Sequence, residues 1–157
     1  MRDTRLSLPK PAKKKLVDLL TARLADCLDL YGQAKHAHWN VSGPQFIALH
    51  ELFDKVAGEV DGYADDLAER AVQLGGVASG RASDVAKNTA LMPYPAGEID
   101  GTEHVVALAD ALAAFGKLTR EAIDAATALG DADTADLFTG ISRGVDKQTW
   151  FVEAHLR

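Results

Sequence analysis

The chain has one cysteine among 157 residues, two tryptophans, and an aromatic fraction of only 6%. The lone Cys27 excludes a disulfide framework and any Cys-based zinc or iron–sulfur site. Scarce aromatics and plentiful alanine argue against a β-sandwich, which needs aromatic and β-branched runs. No stretch approaches the ~18–20 apolar residues of a membrane span. The first twenty residues hold no apolar signal segment either, since Leu16 to Leu20 is interrupted by Asp18. A reducing, cytoplasmic home without a membrane partner is the expectation. Disorder is excluded by a 47% apolar content.

What is present is helical periodicity. Over residues 13–41, Leu16, Leu20, Leu24, Cys27, Leu28, Tyr31 and Ala34 recur three or four apart, until Ser42-Gly43-Pro44 breaks the pattern. A second helix is predicted from Gln45 to Leu74, stopped by Gly75-Gly76. Residues 77–101 read as a long connection with a short helix over Ser83–Ala90. Two further helices follow, Thr102–Leu129 and Asp133 to the C-terminus, with Asp133 as N-cap. The fold expected is all-α, a four-helix bundle with one long crossover connection containing a short helix.

Charge divides the chain in two. Residues 1–15 carry Arg2, Arg5, Lys10, Lys13, Lys14 and Lys15 against Asp3, while the whole chain is −6. A basic arm over residues 1–12 and an acidic bundle domain over 13–157 are therefore expected, and the six cations are the candidate contacts for an anionic partner.

The second helix carries the chemistry. On a helical wheel Asp54, Asp61, Asp65 and Glu69 share one face with His50, beside the apolar stripe Leu49, Phe53, Val56, Val60 and Leu67. Lys55 is the single cation between His50 and Glu69. A solvated face usually interleaves cations, because like charges four apart repel by ~0.2–0.5 kcal/mol. A one-sign stripe headed by histidine is better explained by a bound cation. Carboxylates with imidazoles suit Fe(II), Mn(II) or Zn(II).

Asp54 and Asp65 are about 16 Å apart along the axis, too far for one ion. Positions 54 and 65, like 50 and 69, are centred on 59.5. An antiparallel pairing of this helix with its own copy brings Asp54 to the mate's Asp65 and His50 to the mate's Glu69. That creates two shared sites about 22 Å apart. Gly58 and Gly62 flank the midpoint and permit close approach. A di-iron bundle with its centre inside one subunit uses Glu-x-x-His, which the chain lacks. The His50-Glu51-Leu52-Phe53-Asp54 segment is also no zincin, since Asp54 stands where the second histidine must be.

Ala37-His38-Trp39-Asn40-Val41-x-Gly43, His50-Glu51-Leu52-Phe53-Asp54 and the run from Asp65-Asp66-Leu67-Ala68-Glu69 to Gly75-Gly76 resemble the Dps family. Its members are DNA-binding proteins from starved cells, dodecameric mini-ferritins. The resemblance runs from Lys13 onward and includes Asp131-Ala132-Asp133-Thr134-Ala135-Asp136 and Asp146-Lys147-x-x-Trp150-Phe151. It implies a ferritin-like bundle, two-fold dimers assembling to a dodecamer, and a ferroxidase centre. The ligands it implies are His38, His50 and Asp54 from one subunit with Asp65 and Glu69 from its mate. Iron is the implied metal, one or two ions per site, with zinc as a substitute. Hydrogen peroxide is the implied oxidant of Fe(II), and the ferric product is stored in the hollow shell.

Trp39 and Trp150 match tryptophans near the family's iron site, with core packing as the ordinary alternative. Asp131, Asp133 and Asp136 match the region lining its iron-entry pores, with helix capping as the alternative. His36 points away from His38 and reads as a structural or surface residue. DNA binding in the family relies on a mobile lysine-rich tail; twelve copies at −6 carry −72, so only the basic arm favours DNA and a nucleoid association. Two other classes stay compatible: a non-catalytic DNA-compacting nucleoid protein, and a divalent-metal buffer shell without redox turnover.

Overall fold

A computed structural model describes residues 1–156. It contains α1 (Lys10–Asn40), α2 (Phe46–Gln73), the short α3 (Ala82–Asn88), α4 (Gly101–Ala128) and α5 (Ala132–Glu153), closed by a 3-10 turn at Ala154–Leu156. No strand occurs among the described residues. Helices α1 and α2 form one antiparallel pair and α4 and α5 the other, with the crossover running between the pairs. This is the four-helix bundle expected. Arg157, the last residue assigned to the fourth long helix and to the bundle domain, lies outside the described residues.

The core follows the periodic stripes. Leu16, Leu20, Leu24, Cys27, Leu30 and Ala34 are buried along α1, with Leu28 and Tyr31 half-buried beside them. All five stripe residues of α2 are buried: Leu49, Phe53, Val56, Val60 and Leu67. Phe53, Phe115 and Phe138 fill the centre from three different helices. Each such side chain contributes about 1.5–3 kcal/mol by leaving water. Cys27 donates to the Val60 carbonyl at 3.3 Å, and burial pushes its thiol far above the ordinary range. It is a packing residue.

Helix ends account for the differences from expectation. Helix α1 starts at Lys10 rather than Lys13, because Pro11 in the first turn has a preset φ and no N–H to satisfy. The arm is correspondingly shorter. Helix α4 opens on Asp100, whose carboxylate accepts from the Glu103 N–H at 2.8 Å while Glu103 accepts from the Asp100 N–H at 2.8 Å. Asp133 is not the N-cap of α5: Asp131 is, accepting from the Thr134 N–H, and Asp133 lies in the first turn. Arg70 reaches across from α2 to both aspartates, at 2.9 and 3.0 Å to Asp131 and 3.9 Å to Asp133, and pairs most closely with the one that caps. The cap was decided across the bundle.

The crossover is tied to α1 by acids and an amide on that helix. The Ala90 N–H donates to Asp26 at 2.6 Å, the Thr89 hydroxyl to Asp29 at 2.7 Å, and Gln33 to the Met92 carbonyl at 3.1 Å. Tyr94 meets the buried His104 of α4 at 2.9 Å. Burial lowers the His104 pKa, so the ring is held toward its neutral form. His36 packs edge-on against Tyr94, which gives it the structural place expected.

The N-terminal residues are laid onto the end of α2. The Arg2 N–H donates to the Gly75 carbonyl at 2.9 Å, and its guanidinium donates to the Val72 carbonyl at 2.9 Å. Gly75 sits at φ 95°, ending the helix in a left-handed turn. A Cβ there would stand 2.4 Å from the Arg2 carbonyl oxygen, so glycine also makes room for the arm. Lys13 is buried and donates to the Thr4 hydroxyl at 2.8 Å. Lys10 pairs with Asp3 and Lys14 with Asp18. Arg5 and Lys15 are exposed, with no acidic partner within ion-pair distance among the described residues.

Candidate metal centre

The last turn of α1 and the first turns of α2 are held together by a reciprocal pair of bonds. His38 Nδ1 lies 2.8 Å from the His50 carbonyl oxygen, and His50 Nδ1 lies 2.9 Å from the His38 carbonyl oxygen. The two rings stack at 3.8 Å with 24° between their planes. A carbonyl only accepts, so each Nδ1 must carry its proton. In a neutral ring so bonded, Nε2 is the atom with a lone pair to offer a metal. This second hydrogen bond fixes both tautomer and ring direction in metal-binding histidines generally.

Asp54 stands one turn beyond His50, with His38 Nε2 at 3.9 Å from its Oδ1. The three side chains line an open depression with Ile47, Glu51 and Lys55. Lys35 donates to the same Asp54 oxygen at 2.7 Å, and that bond is the main reason the carboxyl sits below the usual carboxylate range. Two imidazoles and a carboxylate are donor types that suit a first-row metal ion.

Asp65 and Glu69 are exposed at the far end of the same α2 face. Among the described residues no three His, Cys, Asp or Glu side chains converge as a metal-binding group. The candidate donors thus fall into two groups, His38 of α1 with His50 and Asp54 at the start of α2, and Asp65 and Glu69 toward its end. The surface between them is open: Gly58 and Gly62 are exposed, with no atom within 4 Å of where a Cβ would stand. That smooth stretch suits the close approach of another helix.

The other candidates are scattered. Trp39 is 69% exposed and Trp150 61% exposed, so neither packs in the core of the chain. Trp39 lies under the Lys35 ammonium at 5.7 Å, and Trp150 leans on Phe151 at 4.9 Å. Asp131 is only 4% exposed and receives Arg70 at 2.9 and 3.0 Å through its two oxygens. Burial works to raise its pKa, but the Thr134 and Arg70 bonds outweigh it and leave the carboxyl below the ordinary range. Asp131 therefore faces inward, while Asp133 and Asp136 are exposed.

Two functional-looking residues were missed in the sequence. Lys35 precedes His38 by three positions and shares its helix face, a spacing that was available to notice. Arg70 gave no such signal, because its partner is sixty-one residues away.

Comparison with known proteins bears on the family and the fold. A family model for a ferritin-like domain matches residues 17–157. The chain is 42% identical over 154 residues to a DNA protection during starvation protein of Agrobacterium fabrum, covering 98% of this chain and 95% of that one. The solved Dps of Mycobacterium smegmatis superposes with a TM-score of 0.94 at 32% identity, over 100% of this chain and 94% of that one. The Dps of Vibrio cholerae, described as a member of a broad superfamily of ferritin-like diiron-carboxylate proteins, gives 0.92 at 25% identity, over 100% and 98%. A four-helix bundle with these motifs and these relatives belongs to the Dps family of ferritin-like proteins.

Proposed function

We propose that the protein sequesters iron by oxidising Fe(II) at sites shared between two-fold related subunits and storing the ferric product within a shell of twelve chains. The observation that carries this reading is the reciprocal histidine–carbonyl pair, which engages both Nδ1 atoms and leaves the Nε2 atoms of two rings lining the depression with Asp54 free to bind an ion. His38, His50 and Asp54 supply one half of each site. Asp65 and Glu69 of the mate supply the other half, brought over by antiparallel pairing of α2 across Gly58 and Gly62.

Iron is substrate here. Two Fe(II) ions each give one electron to hydrogen peroxide, whose O–O bond breaks to leave two water-level oxygens and no hydroxyl radical. The carboxylates neutralise the charge that builds as the ions become ferric, and the imidazoles hold them in place. Exposed Asp133 and Asp136 are the candidate residues for drawing Fe(II) toward the shell, through their local field. Asp131, the third candidate, is buried against Arg70, whose guanidinium also lies 3.9 Å from Asp133. Trp39, beside the site, is placed to take up a stray oxidising equivalent.

Anaerobic Fe(II) followed by hydrogen peroxide, then size-exclusion chromatography with light scattering, tests the proposal. Ferric absorbance should travel with a particle of about twelve subunits. An iron-free large particle would favour a metal buffer or nucleoid role, and a small iron-free species would remove the reading altogether.

DNA contact is expected to be weak. Lys13 is buried, Arg2 is bonded to the end of α2, and Lys10 and Lys14 sit beside acids, which leaves Arg5 and Lys15 as the cations open to phosphate. Gel retardation of duplex DNA should be seen only at low salt and vanish near about 150 mM, as expected for few phosphate contacts. Retention of DNA at that salt would show that the arm detaches.

A further inference from the structure

Among the described residues, Tyr94 is the tyrosine whose hydroxyl meets a nitrogen base. Its oxygen lies 2.9 Å from Nδ1 of His104 on α4 and 3.4 Å from the carbonyl oxygen of the same residue. The Tyr63 hydroxyl, by contrast, is 3.5 Å from the Glu59 carboxylate, at the limit of a hydrogen bond. His104 is 1% exposed, and its Nε2 has no hydrogen-bond partner among the described residues. Burial, helped by the nearby His36, holds this ring toward neutrality, and burial also pushes the Tyr94 phenol far above its ordinary range. The phenol therefore keeps its proton, and a neutral ring protonated on Nε2 takes the bond at Nδ1. Tyr94 also lines an open cavity of about 190 Å3 between the crossover and α4, with Gln33, Pro93, Pro95, Ala107 and Ala111. One side of the residue is thus open to small solutes, while the base behind it is covered.

Loss of an electron turns a phenol into a strong acid, so oxidation is easy only where a base stands within hydrogen-bond reach of the proton. We propose that Tyr94 and His104 form a proton-coupled one-electron donor, which gives an electron to a small oxygen-centred radical while the phenolic proton passes to His104 Nδ1. With hydroxyl radical the step balances. The radical takes the electron and becomes hydroxide, the Tyr94 O–H bond breaks, an N–H bond forms on His104, and Tyr94 is left as a neutral tyrosyl radical. The imidazolium so made is buried, but the Asn40 backbone and the Asp100 and Glu103 carboxylates favour it. A thiolate from solution resets the pair by returning the electron, and the proton goes back to the phenolic oxygen. The pair works on radicals from any source and does not rest on the metal-site reading.

Pulse radiolysis of the assembled, iron-free protein, with azide radical as the oxidant, tests this. Tyrosyl absorbance and electron paramagnetic resonance of frozen samples provide the readout. Wild type should give a long-lived tyrosyl signal that forms more slowly in D2O, because the proton moves with the electron. Tyr94→Phe keeps the ring and should lose most of that signal, whereas Tyr63→Phe should retain it. His104→Gln presents an amide oxygen that accepts the hydrogen bond but is no base, and it should lower the signal several-fold. An undiminished signal in Tyr94→Phe overturns the inference, as does a wild-type radical that stays on tryptophan. A His104→Gln signal equal to wild type overturns it too, and would leave the bond as a tie between the crossover and α4.

Discussion

Co-assembling Asp54→Ala subunits with Glu69→Ala subunits should restore about a quarter of wild-type Fe(II) oxidation, although neither variant alone retains it. Each single variant damages every site, and the loss should exceed the ~10–100-fold typical of changes to groups that only support a ligand. In a mixed dimer the two lesions collect in one site. The other site keeps His38, His50 and Asp54 from the Glu69→Ala chain and Asp65 and Glu69 from the Asp54→Ala chain. Random pairing makes half of the dimers mixed, and each of those has one intact site of two. A centre confined to one subunit predicts no recovery at all. Stopped-flow absorbance of ferric product, on mixtures refolded together and on mixtures combined after assembly, provides the measurement. Recovery absent from the refolded mixture would sink the intersubunit arrangement, and undiminished oxidation in both single variants would sink the ligand assignment itself.

Arg70→Met should destabilise the protein by about 3 kcal/mol or more, because it strands the Asp131 charge in a buried place. Asp131 is 4% exposed, and its partner's side chain 12%. Adding Asp131→Asn should recover part of the loss: an amide removes the buried charge and still caps α5. Thermal melting at fixed protein concentration reads both effects, and concentration must be held because assembly contributes to stability. The pH dependence has a definite sign. The Asp131 carboxyl is lowered in the folded chain, so its contribution is complete above about pH 4, the ordinary aspartate range. It declines as pH falls through the lower folded value. The stability difference between wild type and Asp131→Asn should therefore be constant near neutrality and narrow in acid. A difference that grows on acidification would contradict the ion-pair account.

The periodic stripes of α1 and α2, the stop at Gly75 and the crossover were legible in the sequence, because each depends on residues close together in the chain. Apolar side chains three and four apart have one helical face to share, and Gly75 ends its helix through its own backbone. The candidate ligands were legible for the same reason: His50, Asp54, Asp65 and Glu69 lie on one face of one helix. Their symmetry about position 59.5 even suggested how two copies would meet.

The tertiary structure decided what depends on distant partners. Whether Asp131 or Asp133 caps α5 turns on Arg70, which arrives from another helix. Six cations near the N-terminus read as a basic patch on an acidic chain, but Thr4 and the carbonyls at the end of α2 take up Lys13 and Arg2. The tautomers of His38 and His50 follow from each ring meeting the other's carbonyl, a contact that exists only once α1 and α2 pack. The hold of Lys35 on Asp54 arises from that same packing. Charge and hydrogen-bonding capacity are properties of a residue type, but a partner is a property of position in space.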